Sequence, residues 1–143
     1  MTRSTEISAD KLRAYRATQY RIGAGDDAIV LRIGERSPPA AALFAVHGVS
    51  CGAFITACNP RGTLHSEAAN DAAHARLRER LLGLGLAVIE GAGGEPGSDW
   101  TPERSVMALD LDLDAARAVG CEFDQDAIVW LGADAVPQLV LLR

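Results

Sequence analysis

A chain of 143 residues, 48% hydrophobic and 23% charged, suits one globular core and is too short for two comfortable ones. That composition excludes intrinsic disorder, and a formal net charge of −5 opposes nucleic-acid binding driven by phosphate neutralisation. The charge is uneven: residues 1–89 carry eleven basic and eight acidic side chains and residues 90–143 carry three and eleven, a pattern that ordinary solubilising surface explains.

Residues 1–8 have no apolar run of signal-peptide length and read as a flexible tail, leaving 9–143 as a single globular domain. Ser8 is placed to cap a helix from about Ala9 to Gln19, with Leu12 and Tyr15 on one face. Tyr20–Ile22 and Ala28–Ile33 flank a turn-forming Gly23 to Asp27 cluster and predict a hairpin. Ser37-Pro38-Pro39 opens a second helix that ends near Gly48. The uncharged run from Ala40 to Cys58 has the length of a bilayer span, but its alanines, glycines and His47 make it a buried helix, a turn and a buried strand.

That strand, Gly52–Ala57, reads as central, and Asn59-Pro60 stops it. After a loop over 61–65, Ser66 starts the longest helix, to about Leu82, with Gly83 or Gly85 as its left-handed terminus. Leu86–Ile89 is a strand, Gly91–Ser98 an open loop, Arg104–Leu111 a strand, and Asp114 the cap of a helix over Ala115–Phe123. Ala127–Leu131 and Gln138–Leu142 are the last strands. Several links are too short for a parallel crossover, so the class is α+β, a mixed or mainly antiparallel sheet with helices packed on it in two layers.

Familiar chemical motifs fail on inspection. The Gly91 to Gly97 loop lacks the helix start and Lys-Ser/Thr pair of a phosphate cradle, and reads as a flexible loop or lid beside a site. Asp110, Asp112 and Asp114 imitate the start of a calcium loop, but Ala115 and Cys121 stand where glycine and glutamate belong. Glu67, Asn70 or Asp71, His74 and Arg78 share a helical face without metal-ligand spacing and read as solvated. Cys51, Cys58 and Cys121 form no C-x-x-C pair; three thiols suit a reducing cytoplasm, and an apolar neighbourhood would leave Cys58 inert. No spacing specifies a metal or cofactor, and nothing sets an oligomeric state.

Polar residues at the ends of buried elements are the stronger signal. Thr56 and Asn59 end the central strand, Glu67 and Asn70 open the long helix, Trp100, Glu103 and Ser105 precede the next strand, and Gln125 and Asp126 precede another. Pockets form at such ends, where a carboxylate can act as acid, base or cation partner, amides can orient a ligand, and tryptophan can stack on a ring. The same residues could simply terminate their elements, Asn59 in an Asx turn and Glu67 at a helix start.

The phrases Phe54-Ile-Thr-Ala-Cys-Asn59-Pro60, Ser66-Glu67-x-x-Asn70, Trp100-Thr-Pro-Glu103-Arg-Ser105 and Phe123-Asp-Gln125-Asp-Ala-Ile-Val-Trp130, in that order and spacing, resemble a bacterial family, domain of unknown function 3293, over roughly Tyr20 to Leu142. The resemblance implies a compact bacterial domain and no particular reaction. Its phrases fall on the strand-end positions. The expectation is therefore a small polar ligand, nucleotide-like or amino-acid-like, bound in a strand-end cleft and open to hydrolytic or transfer chemistry. Glu103 is its acid/base or cation-binding group, Asn59, Asn70 and Gln125 its orienting amides, Arg61 an anion contact, Trp100 a stacking wall, and Thr56, Glu67 and Ser105 further contacts. Neither nucleic acid nor membrane is expected as a partner. The rival expectation is a non-catalytic protein-interaction module.

Overall fold

In the computed structural model, Thr5, residues 7–94 and residues 102–143 are described. In chain order the elements are α1 (Ala9–Ala17), β1 (Gln19–Ile22), β2 (Ile29–Leu31), α2 (Pro38–His47), β3 (Gly52–Ile55), α3 (Glu67–Gly83), β4 (Val88–Gly94), β5 (Glu103–Leu109), α4 (Leu113–Glu122), β6 (Ala127–Leu131) and β7 (Gln138–Leu141). The strands form one sheet in the order β2-β1-β4-β5-β3-β6-β7, and every pairing is antiparallel. The class is α+β, as the short links require.

Local chemistry sets the helix ends. The Ser8, Ser37 and Ser66 side chains accept from the backbone N–H groups of Lys11, Ala40 and Ala69, each satisfying a donor the helix leaves open. Pro38 fills the first position of α2, and Gly48 ends it in the left-handed region at φ 66°. The cap of α4 is Asp112, which accepts from Ala115 N–H, so the helix begins two residues before the position expected from Asp114.

Side-chain alternation divides the interior in two. Ala53, Ile55, Val106, Ala108 and Ile128 face one way, under Ala73, Leu77 and Leu81 of α3 and Ala116 and Val119 of α4. Phe54, Met107, Leu109, Val129 and Leu131 face the other, with Ala40 and Phe44 of α2. Helices therefore cover both faces, where two layers were expected. The strands carry apolar residues on both faces, as the fully buried β3 shows, and a sheet of that kind needs cover on each side.

Two further expectations change. Gly91–Gly94 belong to β4 and not to an open loop: β1 and β5 both pair with them, Tyr20 and Glu103 lying opposite Gly93. A Cβ at Gly91 would stand 2.2 Å from the Arg21 carbonyl, so the missing side chain lets the strands close up; the remainder of the expected loop, 95–98, lies outside the described residues. Of the tail expected over 1–8, residues 1–4 and 6 likewise lie outside them, whereas Ile7 is only 4% exposed and the Thr5 hydroxyl donates to the Arg143 carbonyl. No helix among the described residues is long and apolar enough to cross a membrane.

Candidate functional site

A cleft of about 410 Å³ opens between α1 and the sheet, on the face that carries Phe54 and Val129. Strand alternation builds its floor. Thr56 lies two residues beyond Phe54, and Glu103 and Ser105 precede Met107 at the same spacing, so all three share the face of those apolar residues. Gly93, Gly94, Ala127 and Leu139 continue the floor, and Tyr20 packs edge-on against Phe54 with ring centres 5.5 Å apart. Asp10, Lys11, Ala14, Tyr15 and Thr18 form the wall supplied by α1.

A buried carboxylate fixes that wall. Asp126 is 2% exposed; the Tyr15 hydroxyl donates to it at 2.6 Å, Arg143 Nε at 2.5 Å, and Lys11 Nζ stands 3.6 Å away. Burial would raise its pKa, but these three groups together hold the carboxyl below the usual range. Lys11 Nζ also donates to the Arg61 carbonyl at 3.1 Å, and the Tyr20 hydroxyl to the Tyr15 carbonyl at 2.6 Å. Both phenols are pushed well above their ordinary pKa, first by burial and in part by the negative field of Glu103, so they remain neutral.

The loop after β3 is knotted by amides. Asn59 N–H donates to Asn70 Oδ1 at 2.9 Å and Asn70 Nδ2 returns a bond to Asn59 Oδ1 at 3.0 Å. Asn59 Oδ1 also accepts from His65 N–H at 2.9 Å, which fixes the orientation of its amide, and its Nδ2 donates to Glu103 Oε1 at 3.1 Å. Asn59 itself is left-handed, φ 47°, a conformation asparagine tolerates better than most residues. Gln125 Nε2 donates to the Cys58 and Phe123 carbonyls at 3.2 and 3.3 Å.

Of the expected site residues, Thr56, Glu103 and Ser105 line the cleft. Asn59 stands behind Glu103 and orients it, while Asn70 and Gln125 spend their amides on the chain's own backbone and on Asn59. Glu67 is exposed at the start of α3 and is absent from the lining. Arg61 is also exposed; its backbone acts, with the carbonyl accepting from Lys11 and Arg143 and the N–H donating to Asp124. Trp100 lies outside the described residues. Sequence reasoning missed Lys11, Tyr15 and Tyr20 as parts of the cleft.

Hydroxyl and thiol chemistry is muted here. Thr56 Oγ1 donates to the Arg104 carbonyl at 2.7 Å and Ser105 Oγ to the Glu103 carbonyl at 3.1 Å, so both protons are committed to backbone acceptors and not to a base. Burial pushes the Cys58 thiol up, as does Glu103.

Opposite, under α3, the helical face read as solvated is so only in part: Glu67 and Asp71 are exposed and Asn70 and Arg78 half-buried, but His74 turns inward. His74 is 1% exposed; its Nε2 lies 2.8 Å from Glu90 Oε1, and its Nδ1 has no hydrogen-bond partner among the described residues. Arg78 donates to Glu90 at 2.8 Å, and Arg104 to Asp71 at 3.1 Å and to Glu90 at 3.4 Å. Burial acts against ionisation of Glu90, yet Arg78, His74 and Arg104 bring its carboxyl below the usual range. A shallower groove of about 530 Å³ lies between α3 and the end of α4, and its Arg80 and Glu122 pair with each other at 3.1 Å. Among the described residues no three His, Cys, Asp or Glu side chains are grouped to hold a metal ion.

The family model for a protein of unknown function, DUF3293, matches residues 55–128, a little over half of the sequence, and the chain belongs to that family. The match contains Thr56, Asn59, Asn70, Glu103, Ser105 and Gln125, but not α1. No curated protein and no solved structure matches the chain.

Proposed function

We propose that this domain binds a small ligand in the cleft between α1 and the sheet, with Glu103 as its principal polar contact. The observation that carries this reading is the cleft itself. At about 410 Å³ it falls within the roughly 300–1,000 Å³ typical of small-molecule sites, and it combines an apolar floor with a few convergent polar groups. Asn59 supports the carboxylate from behind, an arrangement that orients an acceptor for a ligand. Binding fits the chemistry better than hydrolysis or transfer, because the hydroxyls of Thr56 and Ser105 are spent on carbonyls and the Cys58 thiol stays protonated. A bacterial cytoplasmic setting suits Cys51, Cys58 and Cys121, all of them free thiols.

The protein-interaction reading draws less support. Among the described residues, the exposed large apolar ones, Val46, Leu64, Leu82 and Leu84, are distributed over the end of α2, the loop before α3 and the end of α3. A fragment library screened by chemical-shift perturbation tests the proposal. Fragments that bind should perturb Tyr20, Gly93 and Ser105 and lose affinity when Gly93→Leu fills the floor, while Arg80→Ala in the second groove leaves binding intact. Binding confined to the second groove, or absent throughout the library, would overturn it.

A further inference from the structure

We propose that the cleft selects a small organic cation, an amine or amidine on an apolar body, in preference to neutral or anionic molecules of the same shape. This deepens the small-ligand reading and rests on it. The argument is an inventory of donors and acceptors. Five hydroxyls stand on the described lining, and each donates inward. Thr18 donates to the Ala14 carbonyl, Thr56 to Arg104, Ser105 to Glu103 and Tyr20 to Tyr15, while Tyr15 donates to the Asp126 carboxylate. A hydroxyl whose proton is committed can offer a ligand only its lone pairs.

The carboxylate of Glu103 adds charge to those acceptors. Among the described residues, Asn59 Nδ2 donates to its Oε1. Lys11, the one cationic residue on the described lining, is drawn to the Arg61 carbonyl and to Asp126, so its charge is directed at partners inside the chain. Asp10 also stands on the lining, its carboxylate paired with the Arg13 guanidinium. The rings of Tyr15, Tyr20 and Phe54 complete the surroundings, and aromatic faces attract cations through their quadrupoles. On the described lining an anion would meet chiefly hydroxyl lone pairs and the Glu103 carboxylate, whereas an ammonium would meet acceptors and rings.

The test uses three molecules that share a phenyl body: benzylammonium, benzyl alcohol and benzoate, titrated at neutral pH and low salt into the full chain and followed by chemical shifts of Tyr15, Tyr20 and Gly93. Benzylammonium should bind at least about tenfold more tightly than the other two, the scale of one hydrogen bond to a charged group. Glu103→Gln, which keeps an acceptor for Asn59, should abolish the preference. Equal binding of the three, or a preference for benzoate, at these residues would overturn the cation proposal and leave the cleft as a ligand site. A preference that survives unchanged in a folded Glu103→Gln chain would overturn the assignment to Glu103. No perturbation of these residues by any of the three, nor by any fragment of the wider library, would overturn the cleft reading and this proposal together. The preference itself is read on the unmodified chain and needs no variant.

Discussion

Asn59 holds three separated pieces of chain at one point: the end of β3, the start of α3 through Asn70, and the start of β5 through Glu103. Asn59→Ala would strand the Asn70 amide and the His65 N–H and place alanine at a left-handed φ, a loss of about 3 kcal/mol of folding stability, measurable by urea unfolding. A loss near zero would mean that water replaces the amide. Asp126 gives a prediction in pH. Its carboxyl titrates lower in the folded chain than the unfolded value of about 3.9, so the folded state gains stability above that value and loses it as pH falls through the lower folded pKa. Asp126→Asn should therefore lower stability at neutral pH and flatten the acid limb of the stability profile; an unchanged limb would show that Tyr15, Lys11 and Arg143 do not hold it ionised. Asn59 and Gln125 could be picked out in the sequence as polar groups at strand ends. Their spending on backbone groups could not, because the partners are set by loop geometry at residues such as the left-handed Asn59 and Arg61.

At the scale of elements, the strands and most helix ends follow from local patterns, whereas β4 shows where such patterns mislead. Glycines at 91, 93 and 94 look like a loop until the neighbouring strands are placed beside them. Gly91→Ala should cost about 1–3 kcal/mol through overpacking against the Arg21 carbonyl and Phe54. Gly93→Ala should cost much less, since its nearest neighbour would be Tyr20 at 3.5 Å. Paired thermal melts of the two variants check the contrast, and equal losses would contradict the close β1–β4 approach. Helix α1 is the opposite case. It has no buried residue, and Tyr15 and Lys11 tie it to the body. Its amides should exchange faster than those of β3 and β5, and Tyr15→Phe should accelerate them further by about tenfold, the scale of one charge-assisted hydrogen bond. Unchanged exchange would show that the Asp126 contact does not anchor the helix.

For the molecule as a whole, the antiparallel α+β class is legible because links such as that between β6 and β7 cannot carry a parallel crossover. The number of layers is not, since residue alternation says that both faces of β3 and β5 are buried without saying which helix covers which face. The cleft is legible in half. Thr56, Glu103 and Ser105 announce themselves by sharing a strand face, but the other wall comes from α1, and Tyr15 meets Asp126 across a sequence separation of 111 residues. The claim that joins these pieces is that a ligand sits between α1 and the floor of Phe54, Val129 and Leu139. Intermolecular nuclear Overhauser effects between bound benzylammonium and the chain test it most directly. The phenyl protons should show contacts to the Val129 and Leu139 methyls and the Tyr20 ring; contacts instead to Ala57, Ala73 and Phe123, in the groove between α3 and α4, would contradict it.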